Sequence, residues 1–527
     1  MRISMFAVLS LSLSLLLLLL SLSNVAVNGA RVLMMPMTVG GHLAEHAAVA
    51  DGLIKRGHEV YILTDTHYKQ PPQLKYLAEL KYVHYYSPNA TMAQPDVMEE
   101  EIRSGIFAQK NEAEMAQSAF KPKLHYDSYS AVTDEKLFAK LKAMKFDFAV
   151  CDSLFFAYHI IPFRLGIPFA GLSTQLYTYM LRMHPYSSVL PCMLLHEGNN
   201  IQTRFEILKW SAILHSLPEF FVEEEKFIDF LHRKGHTEIN SLRDIAMKSA
   251  IWLQNQSPYM DCARMSMPNV IYVGGLASRP PKLLSNDLQS LMDNSKQGAI
   301  VFSFGSLFSS LPDYALEKFF TALGQIPQQV VWRLSLNDSQ KKKFVVPKNV
   351  KLLNWLPQSD LLAHPNTKLF LTHCGTNGQA EALYNAVPMI GFPMHADQHY
   401  NCFRAKVKGF AECMNVIEFD VDDLVTKIRR VIEVQTYKAN VLRMSKLFRM
   451  EEPPRDKAAR WVEHVIEYGS EHLQTPANKM SIFEFLFLDL IAIAFVAIVF
   501  SVIVIYALIT CICRCIFSGK PAKQKTS

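Results

Sequence analysis

Between Asn354 and Gln398 the chain reads NWLPQSDLLAHPNTKLFLTHCGTNGQAEALYNAVPMIGFPMHADQ, and no other stretch limits the fold so tightly. Lys368–Thr372 (KLFLT) has the length and apolarity of a buried parallel strand. His373–Gly378 (HCGTNG) follows as a small-residue turn, and Gln379–Asn385 reads as a helix. A strand that feeds a glycine-containing turn and a helix N-terminus makes an anion site, because free N–H groups and the positive end of the helix dipole converge there. A diphosphate suits such a point, and His373 is placed to add one more donor. Glu381, a turn into the helix, is placed for the two hydroxyls of a ribose. Upstream, Trp355 precedes Pro357, where an exposed indole stacks on a flat base and Gln358 reads the base's edge. Downstream, Asp397 and Gln398 follow Pro393 in a loop, and a carboxylate beside an amide suits the donor and acceptor hydroxyls of a hexose. Singly, each residue has a structural reading: Trp355 as a packing aromatic, His373 as a cap or core histidine, Gly375 and Gly378 as ordinary turn glycines. The joint pattern is far less readily structural.

The rest of the chain repeats the strand–turn–helix plan. Val32–Met35 reads as a strand, Pro36–Gly41 as a turn, His42 to about Lys55 as a helix stopped by Gly57, and Glu59–Leu63 as the next strand. Phe148–Cys151 is a further strand ending at Asp152, followed by an apolar helix towards Phe163 and a strand over Ile167–Gly171. In doubly wound sheets ligands gather at the carboxyl ends of the strands, where His42 and Asp152 both fall. An imidazole there takes a proton from a hydroxyl, while a neighbouring carboxylate fixes its tautomer and stabilises the imidazolium. Either residue also has a structural reading, and spacing does not decide. His46, one turn from His42, invites a metal-pair reading, but with no third ligand nearby a solvated face is favoured.

Three blocks together, W-x-P-Q, then T-H-x-G-x-N-G-x-x-E-A, then P-M-x-x-x-P with D-Q, resemble the signature of the UDP-glycosyltransferases, which include the animal UDP-glucuronosyltransferases. The resemblance runs over nearly the whole chain. It implies an α/β fold of GT-B type, two Rossmann-like doubly wound domains facing a cleft, with acceptor on the first and UDP-sugar on the second. Trp355 and Gln358 would hold the uracil, Glu381 the ribose, and His373, Gly375, Asn377 and Gly378 the diphosphate. Asp397 and Gln398 would hold the sugar, and His42 and Asp152 would be catalytic. Ser306, in the turn after the strand Ala299–Phe304, offers a hydroxyl to the diphosphate. Arg333, on the strand Val330–Leu334, resembles a family arginine near the nucleotide; a surface ion pair is its other reading. Cys374 departs from the glycine or alanine that relatives usually carry. Glucuronate users tend to carry an arginine just after the strand corresponding to Ile251–Leu253, and this chain has Gln254-Asn255, which suits a neutral hexose. An inverting transfer from the UDP-sugar to a hydroxyl of a small lipophilic acceptor is therefore expected, with no metal and no other cofactor. The alternatives are a non-catalytic lumenal binder of lipophiles and a regulatory partner of active relatives; a homo- or hetero-oligomer stays open.

Asp420-Val-Asp422 is the one metal-type triplet, but it opens a helix and reads as its acidic cap. The sequence has 54 basic against 48 acidic residues, too even a balance to expect nucleic acid. Residues 1–30, with Arg2 ahead of LSLLLLLL, read as a cleaved secretory signal. An acceptor-binding domain over 31–275 and a UDP-sugar domain over 276–477 follow, with the aromatic region Tyr177–Ile245 expected to line the acceptor pocket. Leu490–Ile512 is 23 almost purely apolar residues, long enough to span a bilayer. Arg514, Lys520, Lys523 and Lys525 make residues 513–527 a cytosolic tail, with the domains lumenal in a single-pass type I arrangement. The ending KQKTS resembles a dilysine endoplasmic-reticulum retrieval signal. Cys511, Cys513 and Cys515 are candidates for palmitoylation, and pairing among the other cysteines is not deducible. Asn89, Asn255 and Asn337 head glycosylation sequons, the second disfavoured by Pro258.

Overall fold

The expected alternation of strands and helices builds two all-parallel sheets. The computed structural model describes residues 29–37, 40–67, 79–87, 95–110, 114, 121–154, 156–173, 192, 200–203, 205, 223–264, 266–306, 308–476, 480–485 and 487–517. The first sheet comprises β1 (Arg31–Met35), β2 (Glu59–Asp65), β3 (Lys81–Tyr85), β4 (Phe148–Asp152), β5 (Phe169–Ser173), β6 (Ile251–Gln254) and β7 (Val270–Tyr272), in the order β3-β2-β1-β4-β5-β6-β7. The second comprises β8 (Ala299–Ser303), β9 (Gln329–Arg333), β10 (Val350–Leu353), β11 (Thr367–Thr372), β12 (Met389–Gly391) and β13 (Ala411–Cys413), in the order β10-β9-β8-β11-β12-β13. Every residue of β4, β5 and β8 is buried, as sheets covered on both faces require. In each sheet the order reverses beside the first strand, between β1 and β4 and between β8 and β11. Those two gaps are where ligands bind in such folds.

Five helices of the first unit matter below, α1 (Gly40–Lys55), α2 (Gln358–Ala363), α3 (Thr376–Tyr384), α4 (Gln398–Val407) and α5 (Pro454–Tyr468), and the second unit carries α6 (Leu488–Phe517). α3 starts three residues before the expected Gln379. Gly375 is its N-cap in extended backbone, and Asn377 and Gly378 lie in its first turn rather than before it.

β7 is the last strand of the first sheet and β8 opens the second. One helix from the span expected for the second domain packs on the first sheet's side. α5 packs on α1 of the first domain, burying Ala458, Ala459, Val462 and Val465 with Ala47, Ala50 and Leu53. Its amphipathic pattern was legible, but the partner for its apolar stripe is set by topology. Asp51 accepts from Arg455 Nη1 at 2.9 Å, and Glu463 binds both Arg56 and His58 Nε2, the latter at 2.9 Å. A Cβ on Gly52 would lie 2.5 Å from the carbonyl oxygen of Arg455. Gly52→Val therefore forces the helices apart and should cost about 1–3 kcal/mol, read as a lower urea midpoint.

Two disulfides form, Cys192–Cys262 and Cys402–Cys413. Among the described residues the one cluster of metal-type ligand atoms is Cys192, Asp261 and Cys262, whose two sulfurs are bonded to each other. Asp420 caps its helix as expected, accepting from the N–H groups of Asp422 and Asp423 at 2.9 and 3.1 Å. The sequon at Asn255 is overturned: the side chain is fully buried and bonded on both sides, so no glycan can reach it. Asn337 sits at an exposed helix N-cap. Asn89, residues 1–28 of the expected signal over 1–30, most of the aromatic region from 177 to 222 and the tail from 518 lie outside the described residues.

The chain up to Leu473 forms one compact unit and Gln474–Ser527 a second. In the second, α6 runs 30 residues, about 45 Å at 1.5 Å per residue, with its apolar side chains exposed.

Candidate functional site

β1 delivers the chain into α1, so His42 stands in that helix's first turn. β4 pairs in parallel beside β1 and ends at Asp152. This adjacency brings together two residues 110 positions apart: His42 Nδ1 donates to Asp152 Oδ2 at 2.8 Å. Asp152 is buried and held from behind, Oδ2 accepting from Met37 N at 3.2 Å and Oδ1 from Leu154 N at 3.0 Å. Burial works against the charge on each partner, but their attraction wins. His42 rises to about 9, its charged form favoured by Asp152 and then by Glu45 and Asp397. Asp152 falls to about 2, mainly through His42. With Nδ1 committed to the carboxylate, Nε2 is the nitrogen left to exchange a proton. His46 makes no metal pair with His42: its Nδ1 donates to the carbonyl of His42 at 3.0 Å, and burial lowers its pKa.

The second switch point gathers the nucleotide-type residues. After β8 the chain turns at Gly305 and Ser306, and after β11 it turns at His373. The ring of His373 fills the space where a Gly305 Cβ would stand, 2.6 Å from its Cε1 and Nε2, and Gly305 has φ of +80°. No residue with a side chain fits there. Burial lowers His373 to about 4, so its imidazole is neutral, and its buried Nδ1 has no hydrogen-bond partner among the described residues. Ser306 is exposed at the turn. Arg333 donates to the carbonyl oxygens of Gly305 and Ser306, the second at 3.3 Å, and lies 5.4 Å from the centre of the Trp355 ring.

Trp355 falls just past β10 and is half exposed, as a stacking platform must be. Gln358 starts α2 and donates from Nε2 to Glu381. Burial raises Glu381 to about 7, with Gln358 and Arg279 opposing it. The two residues expected to meet base and ribose are thus coupled. Asp397 accepts from Thr376 Oγ1 at 2.8 Å and from Asn401 Nδ2 at 2.6 Å, facing the start of α3. Gln398 is buried, its amide oxygen accepting from Met394 N at 2.9 Å and its nitrogen 2.7 Å from His395 Nδ1, so it shapes the loop that carries Asp397. Cys374 takes φ of +66°, a backbone suited to glycine, and its thiol is buried against Gly391. Sulfur therefore stays out of the turn's mouth.

Across the cleft, Asn377 at the start of α3 reaches α1. Its Nδ2 lies 3.3 Å from the carbonyl oxygen of Gly41 and 3.2 Å from Glu45 Oε1, while its Oδ1 accepts from Asn255 Nδ2 at 3.1 Å. Its side chain is spent between domains, which leaves its backbone N–H for an anion. Glu45 was not among the expected site residues, and Asn255 was expected only beside the sugar, not as a tie between the domains. A lone acid inside the apolar run LAEHAAVA was the available signal for Glu45.

Comparison with known proteins agrees with this geometry. The family described as "UDP-glucoronosyl and UDP-glucosyl transferase" matches residues 30–523. UDP-glucuronosyltransferase 2A1 of Mus musculus is 32% identical over 412 residues, covering 74% of each chain. UDP-glucuronosyltransferase 2B15 of Homo sapiens is 29% identical over 515 residues, covering 94% of this chain and 95% of its own. Among solved structures, the glycosyltransferase VinC in complex with dTDP superposes with a TM-score of 0.54 at 19% identity, covering 83% of this chain and all of its own. The glycotransferase of kitacinnamycin gives 0.55 at 17% identity, with 83% and 99% covered. These structures share the GT-B fold. The chain belongs to the UDP-glycosyltransferase family, and is a GT-B glycosyltransferase that takes its sugar from a UDP-sugar donor.

Proposed function

We propose that this enzyme transfers a neutral hexose from a UDP-sugar to a hydroxyl of a small lipophilic acceptor, with inversion at the anomeric carbon and without a metal. The observation that carries the reading is the His42–Asp152 pair at one switch point, facing the donor motif at the other within one compact unit. His42 Nε2 takes the acceptor's proton as its oxygen attacks the anomeric carbon from the face opposite UDP. An α-linked donor becomes a β-glycoside, UDP departs, and Asp152 stabilises the imidazolium. Charge developing on the diphosphate meets neutral His373 and the free N–H groups of α3 between Gly375 and Gly378, donors preorganised before the reaction begins. Trp355 stacks the uracil, Gln358 reads its edge and Glu381 takes the ribose hydroxyls; Ser306 and the turn braced by Arg333 approach the diphosphate. Asp397, on the loop shaped by Gln398, takes hexose hydroxyls.

Two buried amides, Gln254 at the end of β6 and Asn255 just after it, stand where an arginine would answer a glucuronate carboxylate, which favours a neutral sugar. α6 serves as the membrane anchor, and the two disulfides fit an oxidising lumen such as that of the endoplasmic reticulum.

The test is a thermal-shift series on the full-length enzyme in detergent with UDP, UDP-glucose, UDP-galactose, UDP-N-acetylglucosamine and UDP-glucuronate. A ligand at 100 times its Kd stabilises by about 2.7 kcal/mol, a readable shift. Wild type should respond most to a neutral UDP-hexose, and Trp355→Ala should lose the response. If UDP-glucuronate gives the largest shift, the hexose assignment is wrong; if Trp355→Ala responds like wild type, the uracil assignment is wrong.

A further inference from the structure

Glu45 takes part in none of the steps above, yet it is buried one turn past His42 on α1. Its Oε1 accepts from Asn377 Nδ2, and the same amide nitrogen reaches the carbonyl of Gly41. Gly41 has no side chain to block that approach: a Cβ there would lie 2.8 Å from Asn377 Nδ2. Asn255 completes the chain, donating to Asn377 while its Oδ1 accepts from Gly275 N at 3.0 Å and Leu276 N at 3.3 Å, in the segment that joins the two domains. A continuous polar path thus runs from the linker through the first turn of the donor helix to the first turn of the helix that carries the base.

We propose that Glu45 is a positioning residue for transfer, tying α1 to α3 through Asn377 one helical turn from His42. The proposal rests on the reading in which His42 is the base and α3 holds the diphosphate. Four titratable groups share the pocket from the elements around it: His42 and His46 on its own helix, Asp152 from β4, and Asp397 from the loop before α4, which acts on His42. Burial holds the Glu45 carboxyl up to about 7 against the attraction of His42. It therefore changes charge near neutrality, and when ionised it adds a second negative charge beside the imidazole. The tie sets how α1 stands against α3, and the charge sets how readily His42 takes a proton.

Glu45→Gln keeps an oxygen for Asn377 and removes the charge; Glu45→Ala removes both. For Glu45→Gln, the rise of kcat with pH should move to lower pH by about one unit, the size a neighbouring charge produces, with KM for the UDP-sugar within about twofold of wild type. For Glu45→Ala, KM for the UDP-sugar should rise about fivefold, as expected for a lost cross-domain hydrogen bond. Asn377→Ala should raise it alike, and the double variant should add little further. The proposal is overturned if the pH profile of Glu45→Gln superimposes on wild type, or if Glu45→Ala keeps the wild-type KM. Should Glu45→Ala fail to fold, the near-isosteric Glu45→Gln profile decides alone. His42→Ala, run beside them, separates the two readings: transfer that survives it removes the base assignment itself, whereas transfer lost there but indifferent to Glu45 removes only this proposal.

Discussion

Asp152→Asn should lower kcat by about 10³–10⁴-fold while leaving the fold and the UDP-dependent thermal shift in place. The carboxylate is buried, accepts from Met37 N and Leu154 N, and holds His42 Nδ1 at 2.8 Å. An amide has the same shape but offers one acceptor oxygen, no charge, and an N–H₂ that lets His42 present the wrong tautomer. The pH dependence separates this account from a structural one. His42 is raised to about 9 because Asp152, with Glu45 and Asp397, outweighs burial, so with His42 as the proposed base the wild-type rate should climb with pH towards that value. In Asp152→Asn burial acts on His42 without its main counter-charge, and the climb shifts towards the ordinary histidine value of 6.5.

Stability follows the same pair with opposite edges. A raised His42 contributes fully below 6.5 and loses its contribution as pH rises through about 9. A depressed Asp152 contributes above 3.8 and loses its contribution as pH falls through about 2. Wild type should therefore lose thermal stability at both ends, and Asp152→Asn should lose the alkaline loss. A variant within tenfold of the wild-type kcat at every pH from 6 to 10 would show that the pair only holds the fold together.

The second large effect is on stability. Asp261→Ala should cost about 3–5 kcal/mol, because it leaves buried positive charge uncompensated. Asp261 is buried between Arg264 and Arg404, whose side chains are 4% and 0% exposed, and it also accepts from Tyr400 Oη at 2.7 Å. Arg404 in turn donates from Nε and Nη2 to Gln379 Oε1 at 3.0 and 2.7 Å, on the helix that carries the anion turn. Loss of the carboxylate should loosen that helix through Arg404, so UDP binding should weaken with stability. Urea unfolding measures it, and Asp261→Ala combined with Arg404→Leu should recover part of the loss because one orphaned charge is gone. A single-variant cost under about 1 kcal/mol would mean that water reaches the arginines and the burial argument fails.

Much of this was legible in the chain alone. Short apolar runs ending in glycine or polar turns mark strands such as β4, β8 and β11 to within a residue or two, because a strand buried on both faces admits few polar side chains. Trp355, Gln358, His373, Glu381 and Asp397 lie within 43 residues of sequence, so their nucleotide pattern survives as a local motif. Asp420 declared itself a cap because capping is a contact between near neighbours. Contacts between distant residues were not legible. Asn255 reads as a sequon until the fold buries it between the linker and Asn377. α5 reads as the end of the second domain until it covers α1 of the first. Glu45 reads as one acid in a helix until Asn377 arrives from 332 residues away. Periodicity and spacing are properties of neighbours along the chain, and they determined the elements, the family motif and the two switch points. Which polar group satisfies which across the cleft was decided by the packing of the two sheets, since a buried donor or acceptor takes its partner from whatever the tertiary structure brings within 3 Å or so.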